Sequence, residues 1–113
     1  MAITYQRFIT PQLLASTDVV LYTVPINPPQ TAMKSLRVRL ANTSAAAATA
    51  SLNVVPAGGA VAASNNCFPA VSINANDYID VDVPDMAAGD ALHAIAGTAN
   101  VISVTQLDGF LKS

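Results

Sequence analysis

The 113-residue sequence predicts an all-β protein, an antiparallel β-sandwich of the jelly-roll or immunoglobulin-like kind with seven to eight strands. Three observations favour this fold class. Apolar and polar residues alternate with a period of two in several short segments. Residues that form turns lie between these segments. All seven acidic residues are aspartate, which prefers turns and caps, and glutamate, a good helix former, is absent.

The clearest predicted strands carry different chemistry on their two faces, because side chains alternate across a strand. One strand alternates Arg37 and Arg39 with leucine and valine, and another alternates Asp80 and Asp82 with isoleucine and valine. We expect the apolar faces to form the core. The predicted core residues are Leu36, Val38, Leu40, Leu52, Val54, Ile79, Val81 and Val83.

Turn signals set the limits of the predicted strands. A proline pair, a glycine pair and asparagine-rich stretches interrupt the alternating segments. The predicted strands cover residues 18–24, 35–42, 49–55, 68–73, 77–83, 91–97 and 100–108. The last of them is apolar at four positions, including Leu107, which predicts a strand covered on both faces.

Residues 1–16 do not fit this scheme, since they carry large apolar side chains without clear turn signals. We expect an extended arm that lies on another surface, its own or a neighbour's, and a single β-sandwich domain over residues 17–113. The apolar residues of the arm, all candidate assembly contacts, are Ile3, Tyr5, Phe8, Ile9, Leu13 and Leu14.

The composition indicates a surface that partners cover. Only 11% of residues are charged, 52% are hydrophobic and the mean hydropathy is +0.44, whereas ordinary domains are about 25% charged. No stretch approaches the ~20 apolar residues of a membrane-spanning helix, and the first residues do not resemble a signal peptide. We therefore expect synthesis in the cytoplasm and no membrane partner. Five scattered basic residues and a net charge of −2 argue against nucleic-acid binding.

Candidate chemistry is sparse in this sequence. Cys67 and His93 are the only residues of their kinds, and a nucleophilic dyad between them would lack an orienting group. We interpret them as a buried thiol and a strand histidine, and expect no enzyme activity, cofactor or metal site. Pairing of Asp80 and Asp82 with Arg37 and Arg39, within the domain or across an interface, is favoured over calcium binding. These four charged residues complete the candidate assembly contacts.

One string allows a comparison with a known group of proteins. Leu21-Tyr22-Thr23-Val24-Pro25 is similar to the opening of a group of small bacteriophage structural proteins. The resemblance continues through the alternating strand that ends at Asn42, and then through residues 88–90 and 104–109. Pro28-Pro29 departs from the short glycine-type turn of that group. The resemblance implies a β-sandwich on a virion, made in the cytoplasm of a host bacterium.

Three functional hypotheses follow. The first is a capsid decoration or cement protein that binds copies of itself, as a trimer or dimer, and the major capsid protein. The second is a structural module of the neck or collar, or one that anchors a tail fibre. The third is a sandwich that binds host glycans, which the lack of tryptophan and the presence of only three tyrosines disfavour.

Overall fold

The computed structural model describes residues 3–5, 7–26 and 32–112 and confirms an all-β sandwich. The described part contains ten strands: β1 (Ile3–Tyr5), β2 (Gln12–Leu13), β3 (Val19–Thr23), β4 (Ala32–Asn42), β5 (Ala48–Val55), β6 (Asn66–Ile73), β7 (Tyr78–Asp82), β8 (Met86–Ala87), β9 (Ala91–Ala96) and β10 (Ile102–Lys112). One 3-10 turn, Ala63–Asn65, precedes β6. The count exceeds our prediction because β1, β2 and β8 are too short to produce an alternating pattern.

The strands form two antiparallel sheets. In sheet A the order is β1-β10-β4-β7, with β2 also paired to β10 and β8 also paired to β4. In sheet B the order is β3-β9-β5-β6. The apolar side chains between the two sheets form the core.

The strand order identifies the sandwich as a jelly roll. The hydrogen-bonded pairs are nested along the chain: β5 pairs with β6, β4 with β7, β3 with β9, and β2 with β10. Successive pairs alternate between the two sheets. The chain is therefore one long antiparallel ribbon folded over itself, which is the double Greek-key arrangement of jelly rolls.

Most of the predicted core is confirmed, because the period-two faces of β4 and β7 turn inward as expected. Six of the eight predicted residues are buried: Leu36, Val38, Leu40, Leu52, Val81 and Val83. The other two, Val54 and Ile79, are half-buried and pack against this core. Ile79 lies on β7, which among the described strands has sheet neighbours on one side only.

Two β-bulges shift the faces of β4 and β10. Leu107 is the extra residue on β10, since Gln106 and Asp108 oppose consecutive residues of β4. Its side chain is 40% exposed, so our expectation that both faces of this strand are covered is wrong at Leu107. On β4 the extra residue is Ser35, with a φ of +55°.

Described residues near the N-terminus belong to the sandwich. Ile9 and Leu14 are fully buried in its core, and the backbone N–H of Leu14 donates to the carbonyl of Ile102 at 2.8 Å. The Oε1 of Gln106 accepts the backbone N–H of Ile9 at 3.1 Å. We expected residues 1–16 to form an extended arm on the surface of the domain or of a neighbour, but Ile9 and Leu14 lie inside the core. Their partners on β10 are about ninety positions away in the chain, so no local pattern indicates this burial.

Candidate assembly surfaces

Six charged side chains form a ladder on the outer face of sheet A. Its basic members, Lys34, Arg37 and Arg39, all lie on β4, and its acidic members, Asp80, Asp82 and Asp85, lie on β7 and just after it. Three ion pairs join the two sides: Lys34 Nζ–Asp85 Oδ2 at 3.1 Å, Arg37 Nε–Asp82 Oδ1 at 2.8 Å and Arg39 Nε–Asp80 Oδ1 at 2.8 Å. We call these six residues the charge ladder.

Strand register produces the ladder. Arg37 lies directly opposite Asp82, and Arg39 directly opposite Asp80, in the antiparallel pair of β4 and β7. Side chains at such opposed positions point to the same face of a sheet. The bulge at Ser35 changes the spacing, so that Lys34 also points outward although it is three residues from Arg37.

Arg39 has the most extensive contacts in the ladder. It donates two hydrogen bonds to Asp80, from Nε at 2.8 Å and from the second guanidinium nitrogen, Nη2, at 3.1 Å. Its Cζ also lies 4.1 Å from the ring centroid of Tyr78, a cation–π contact. The hydrogen bonds from Arg39 lower the pKa of Asp80, and the same pairing raises the pKa of Arg39. Both groups are therefore charged at neutral pH. The two hydrogen bonds to Asp80 and the contact with the Tyr78 ring hold the guanidinium plane in one orientation.

A row without charge crosses sheet A beside the ladder. It consists of Leu13, Ser103, Ala41 and Tyr78, which are opposed in turn on β2, β10, β4 and β7. Leu13 and Tyr78 are 48% and 51% exposed. We call these four residues the cross-sheet row. A row of small and apolar side chains beside an ordered charged surface resembles the composition of a protein interface, where an apolar centre has a polar rim.

The outer face of sheet B differs, because a loop covers part of it. Asn53 on β5 is buried, and its Nδ2 donates to the carbonyl of Ala62 at 3.0 Å and to Oδ1 of Asn65 at 2.7 Å. Asn65 in turn donates to the carbonyl of Ala60 at 2.9 Å. These bonds hold residues 56–65 against the sheet. The loop itself is exposed and consists of proline, alanine, glycine and valine up to position 63.

A second asparagine closes the opposite end of the sandwich. Asn42, at the end of β4, is buried and donates to the carbonyls of Ala46 and Ile73 at 2.8 and 3.0 Å. Its Oδ1 accepts the backbone N–H of Ser44 at 3.0 Å. The short alanine-rich connection after β4 is thereby fixed to the end of β6.

The candidate assembly contacts fall into four groups. Ile9 and Leu14 are core residues and cannot contact a partner, which corrects our prediction for them. Phe8 is half-buried, with its ring centroid 5.3 Å from that of Tyr22, whereas Leu13 is exposed. The expected contacts of Ile3 and Tyr5 concern side chains outside the described part. The four charged candidates, Arg37, Arg39, Asp80 and Asp82, come together as intrachain pairs.

Cys67 and His93 have separate partners. The Sγ of Cys67 donates to the carbonyl of Leu52 at 3.5 Å, and burial raises the pKa of this thiol. His93 forms a hydrogen bond from Nδ1 to Oδ2 of Asp18 at 2.7 Å. Within the described ranges, no three side chains of the metal-binding types are grouped to hold an ion, and no helix is long and apolar enough to cross a membrane.

Tyr78 was not among the predicted site residues. Its signal was present, since the period-two alternation that places Asp80 and Asp82 outward places Tyr78 on the same face. The partnership of Asn53 with Asn65 had no such signal. It depends on a loop that returns over the sheet, and no local pattern encodes that.

Comparisons with known proteins bear on the fold. No protein-family model matches the chain, and no curated protein is significantly similar to it in sequence. Among solved structures, the chain is similar to a protein of the Bacillus endospore appendages, which form disulfide-linked pili, with a TM-score of 0.55 and 10% identity over 96% of this chain and 85% of that chain. A chain of infectious bursal disease virus, Gx strain, gives a TM-score of 0.42 and 9% identity over 97% of this chain and 30% of the viral one. The first similarity shows a shared β-sandwich fold.

Proposed function

We propose that this chain is a non-enzymatic structural subunit of a virion, and that it decorates or cements the capsid by packing against copies of itself and the major capsid protein. The cross-sheet row carries this proposal. It extends over four strands of one sheet without a charge, and its two ends, Leu13 and Tyr78, are about half exposed. Large apolar side chains on an open sheet face are stabilised when a partner covers them.

Other exposed apolar residues support the same role. Seven large apolar side chains of the described part are exposed: Leu13, Val20, Ile26, Val61, Val71, Tyr78 and Leu107. Scattered exposed apolar residues are ordinary on any protein. In this chain, however, only 11% of the residues are charged, which is unusually low. A surface of this kind suits a subunit that neighbours surround.

Weak contacts are sufficient for this function. A capsid presents many symmetric copies of one site, so that contacts repeated around a symmetry axis reinforce one another. Binding that occurs only on the assembled shell stabilises the shell by mass action, by about 2.7 kcal/mol per site at ~100 times the dissociation constant. No chemical step is needed.

A second candidate is a module of a neck, tail or surface appendage. The similarity in fold to a pilus-forming protein of the Bacillus endospore appendages favours it. The same β-sandwich serves many unrelated functions, so this similarity is support by analogy. In this case also the chain would act by packing and not by catalysis.

The number of copies per particle separates the two candidates. Quantitative mass spectrometry of purified virions should find on the order of hundreds of copies for a decoration protein, because a capsid repeats its sites by symmetry. Particles that lack the protein should assemble, rupture at a lower temperature and regain stability when purified protein is added. Six copies to a few dozen would contradict the decoration role and favour the neck or tail. Absence from virions would contradict the virion assignment as a whole.

A further inference from the structure

We propose that the charge ladder is a self-complementary interface, on which a second copy of this chain packs face to face about a two-fold axis parallel to β4 and β7. This inference rests on the self-association in the proposed function and gives it a surface, a partner and a symmetry. The partner is identified by charge complementarity, since the ladder presents both signs of charge in two parallel stripes.

Basic and acidic residues are grouped on separate strands, although the chain has few charged residues. Three of its five basic residues lie on the outer face of β4, and three of its seven aspartates lie within residues 80–85 on the neighbouring stripe. The arginines and aspartates lie at the same positions along the two strands, because Arg39 opposes Asp80 and Arg37 opposes Asp82. At each of these two positions a cation and an anion lie side by side on the outer face of the sheet.

The proposed two-fold axis runs between β4 and β7, parallel to both strands and in the plane where the two copies meet. Rotation about this axis places β7 of one copy over β4 of the other. Each pair of opposed residues keeps its position along the strands. Arg39 of one copy then lies over Asp80 of the other, and Asp80 over Arg39. Each rung becomes a square of four charges in which unlike neighbours alternate. Sheets that pack face to face keep their strands within about 30° of each other, which keeps the central rungs opposed.

Charge also disfavours the other simple arrangements. An in-plane axis perpendicular to the strands lays β4 over β4, so that arginine faces arginine. Pairing of β7 edge to edge with its copy brings the aspartate stripes together, and charged side chains on an edge strand are a known protection against such pairing. Like charges brought together at an interface select against those arrangements.

Side-chain size agrees with the same axis. One rung beyond Arg39, Tyr78 on β7 opposes Ala41 on β4. The exchange of stripes places the exposed ring of Tyr78 over Ala41 of the second copy, a large side chain over a small one. The Cζ of Arg39 lies 4.1 Å from the centroid of this ring, so the guanidinium contacts one face of the ring before a second copy binds. A preordered contact loses less conformational freedom on binding.

The interface should be weak and sensitive to salt. Two strands at ~4.8 Å spacing offer on the order of 300 Å² per subunit, less than the ~800 Å² per partner of a standard stable interface. Exposed charges are screened by salt over about 10 Å at 0.1 M ionic strength. The contact therefore works best among subunits that a shell already holds close together, where its effective concentration is high.

Charge-reversal variants test the arrangement. Arg37→Asp with Arg39→Asp makes the four central ladder positions acidic, and Asp80→Arg with Asp82→Arg makes them basic. In sedimentation equilibrium at low salt, each variant alone should self-associate at least ~10-fold more weakly than the natural protein, whereas an equimolar mixture should associate with restored affinity because unlike faces attract. The variant with all four changes exchanges the stripes and should self-associate like the natural protein. Circular dichroism and thermal unfolding establish that each variant is folded.

A measurement on the unmodified protein guards against variants that fail to fold. A mixture of ¹⁴N- and ¹⁵N-labelled chains, treated with a carbodiimide, should yield mixed-isotope crosslinks between Lys34 and Asp85, whereas an intrachain reaction gives unmixed ones. Variants that self-associate like the natural protein, a mixture without recovery, or crosslinks of unmixed isotope only would each overturn the interface. Binding to shells and the number of copies per virion would still test the proposed function separately.

Discussion

Asn53 and Asn65 join the β5–β6 loop to sheet B by a hydrogen bond of 2.7 Å between Nδ2 of Asn53 and Oδ1 of Asn65. The loop lacks polar side chains from position 56 to 63, and each residue from 56 to 64 is exposed. It therefore has little apolar burial to hold it. The two asparagines supply the hydrogen bonds that the loop needs to keep a single conformation on the sheet.

Replacing Asn53 should loosen this loop. Asn53→Ala removes the donor to Asn65 and to the carbonyl of Ala62, so the free energy of unfolding should fall by about 1–3 kcal/mol. Urea denaturation measures the loss, and hydrogen exchange should accelerate within residues 56–65. Asn74→Ala, at an exposed asparagine in the turn after β6, serves as the control, with a change within about 0.5 kcal/mol. Unchanged exchange in the loop would refute the assignment.

Replacement by alanine should destabilise the domain at Leu14 but hardly at all at the adjacent Leu13. Leu14 is fully buried and Leu13 is 48% exposed. Leu14→Ala should lower the free energy of unfolding by about 2–5 kcal/mol, because it leaves a cavity in the core. Leu13→Ala should change it by no more than about 0.5 kcal/mol. Similar small losses in both variants, measured by chemical denaturation, would favour the predicted arm on the surface of the domain or of a neighbour over a core position for Leu14.

Acid should weaken the domain partly through Asp80. Its folded pKa lies below the ordinary value of 3.8 because Arg39 donates hydrogen bonds to the carboxylate. The unfolded chain therefore takes up this proton first as the pH falls, so the contribution to stability is present above the unfolded value and is lost as the pH falls through the folded pKa.

Asp80→Asn removes this titration. The fall in melting temperature between about pH 4 and pH 2 should be shallower in the variant than in the natural protein. Arg39→Gln removes the cause of the shift and should also flatten this part of the profile. Differential scanning calorimetry at a series of pH values gives the measurement. Parallel profiles for all three proteins would show that the pair does not contribute.

The thiol of Cys67 should react slowly in the folded protein. Burial raises its pKa, and its Sγ donates to the carbonyl of Leu52, so the reactive thiolate is rare at neutral pH. Alkylation by iodoacetamide should be at least ~10-fold slower in the native protein than in urea at the same pH. Mass spectrometry follows the reaction. Equal rates in the two conditions would mean that the side chain is accessible.

Local patterns were sufficient for much of the fold. The alternation around Arg37 and Arg39 predicted both the buried face and the charged face of β4, because the side-chain period of a strand is a property of the backbone alone. The same rule placed Asp80 and Asp82 on the outer face of β7. It left open whether these residues pair within the domain. The register of β4 on β7 settles that.

The tertiary structure decided what depends on distant partners. Leu14 is a core residue whose backbone N–H donates to the carbonyl of Ile102 on β10, and the two-residue strand before it is too short to show a period. The bulges at Ser35 and Leu107 arise from the pairing of β4 with β10 and reset which side chains face outward. Nested pairing made the sandwich a jelly roll and not an immunoglobulin-like fold. Neighbouring residues determine the alternation within each strand. Contacts between residues far apart in the chain determine strand order and register, so a short sequence pattern does not predict them.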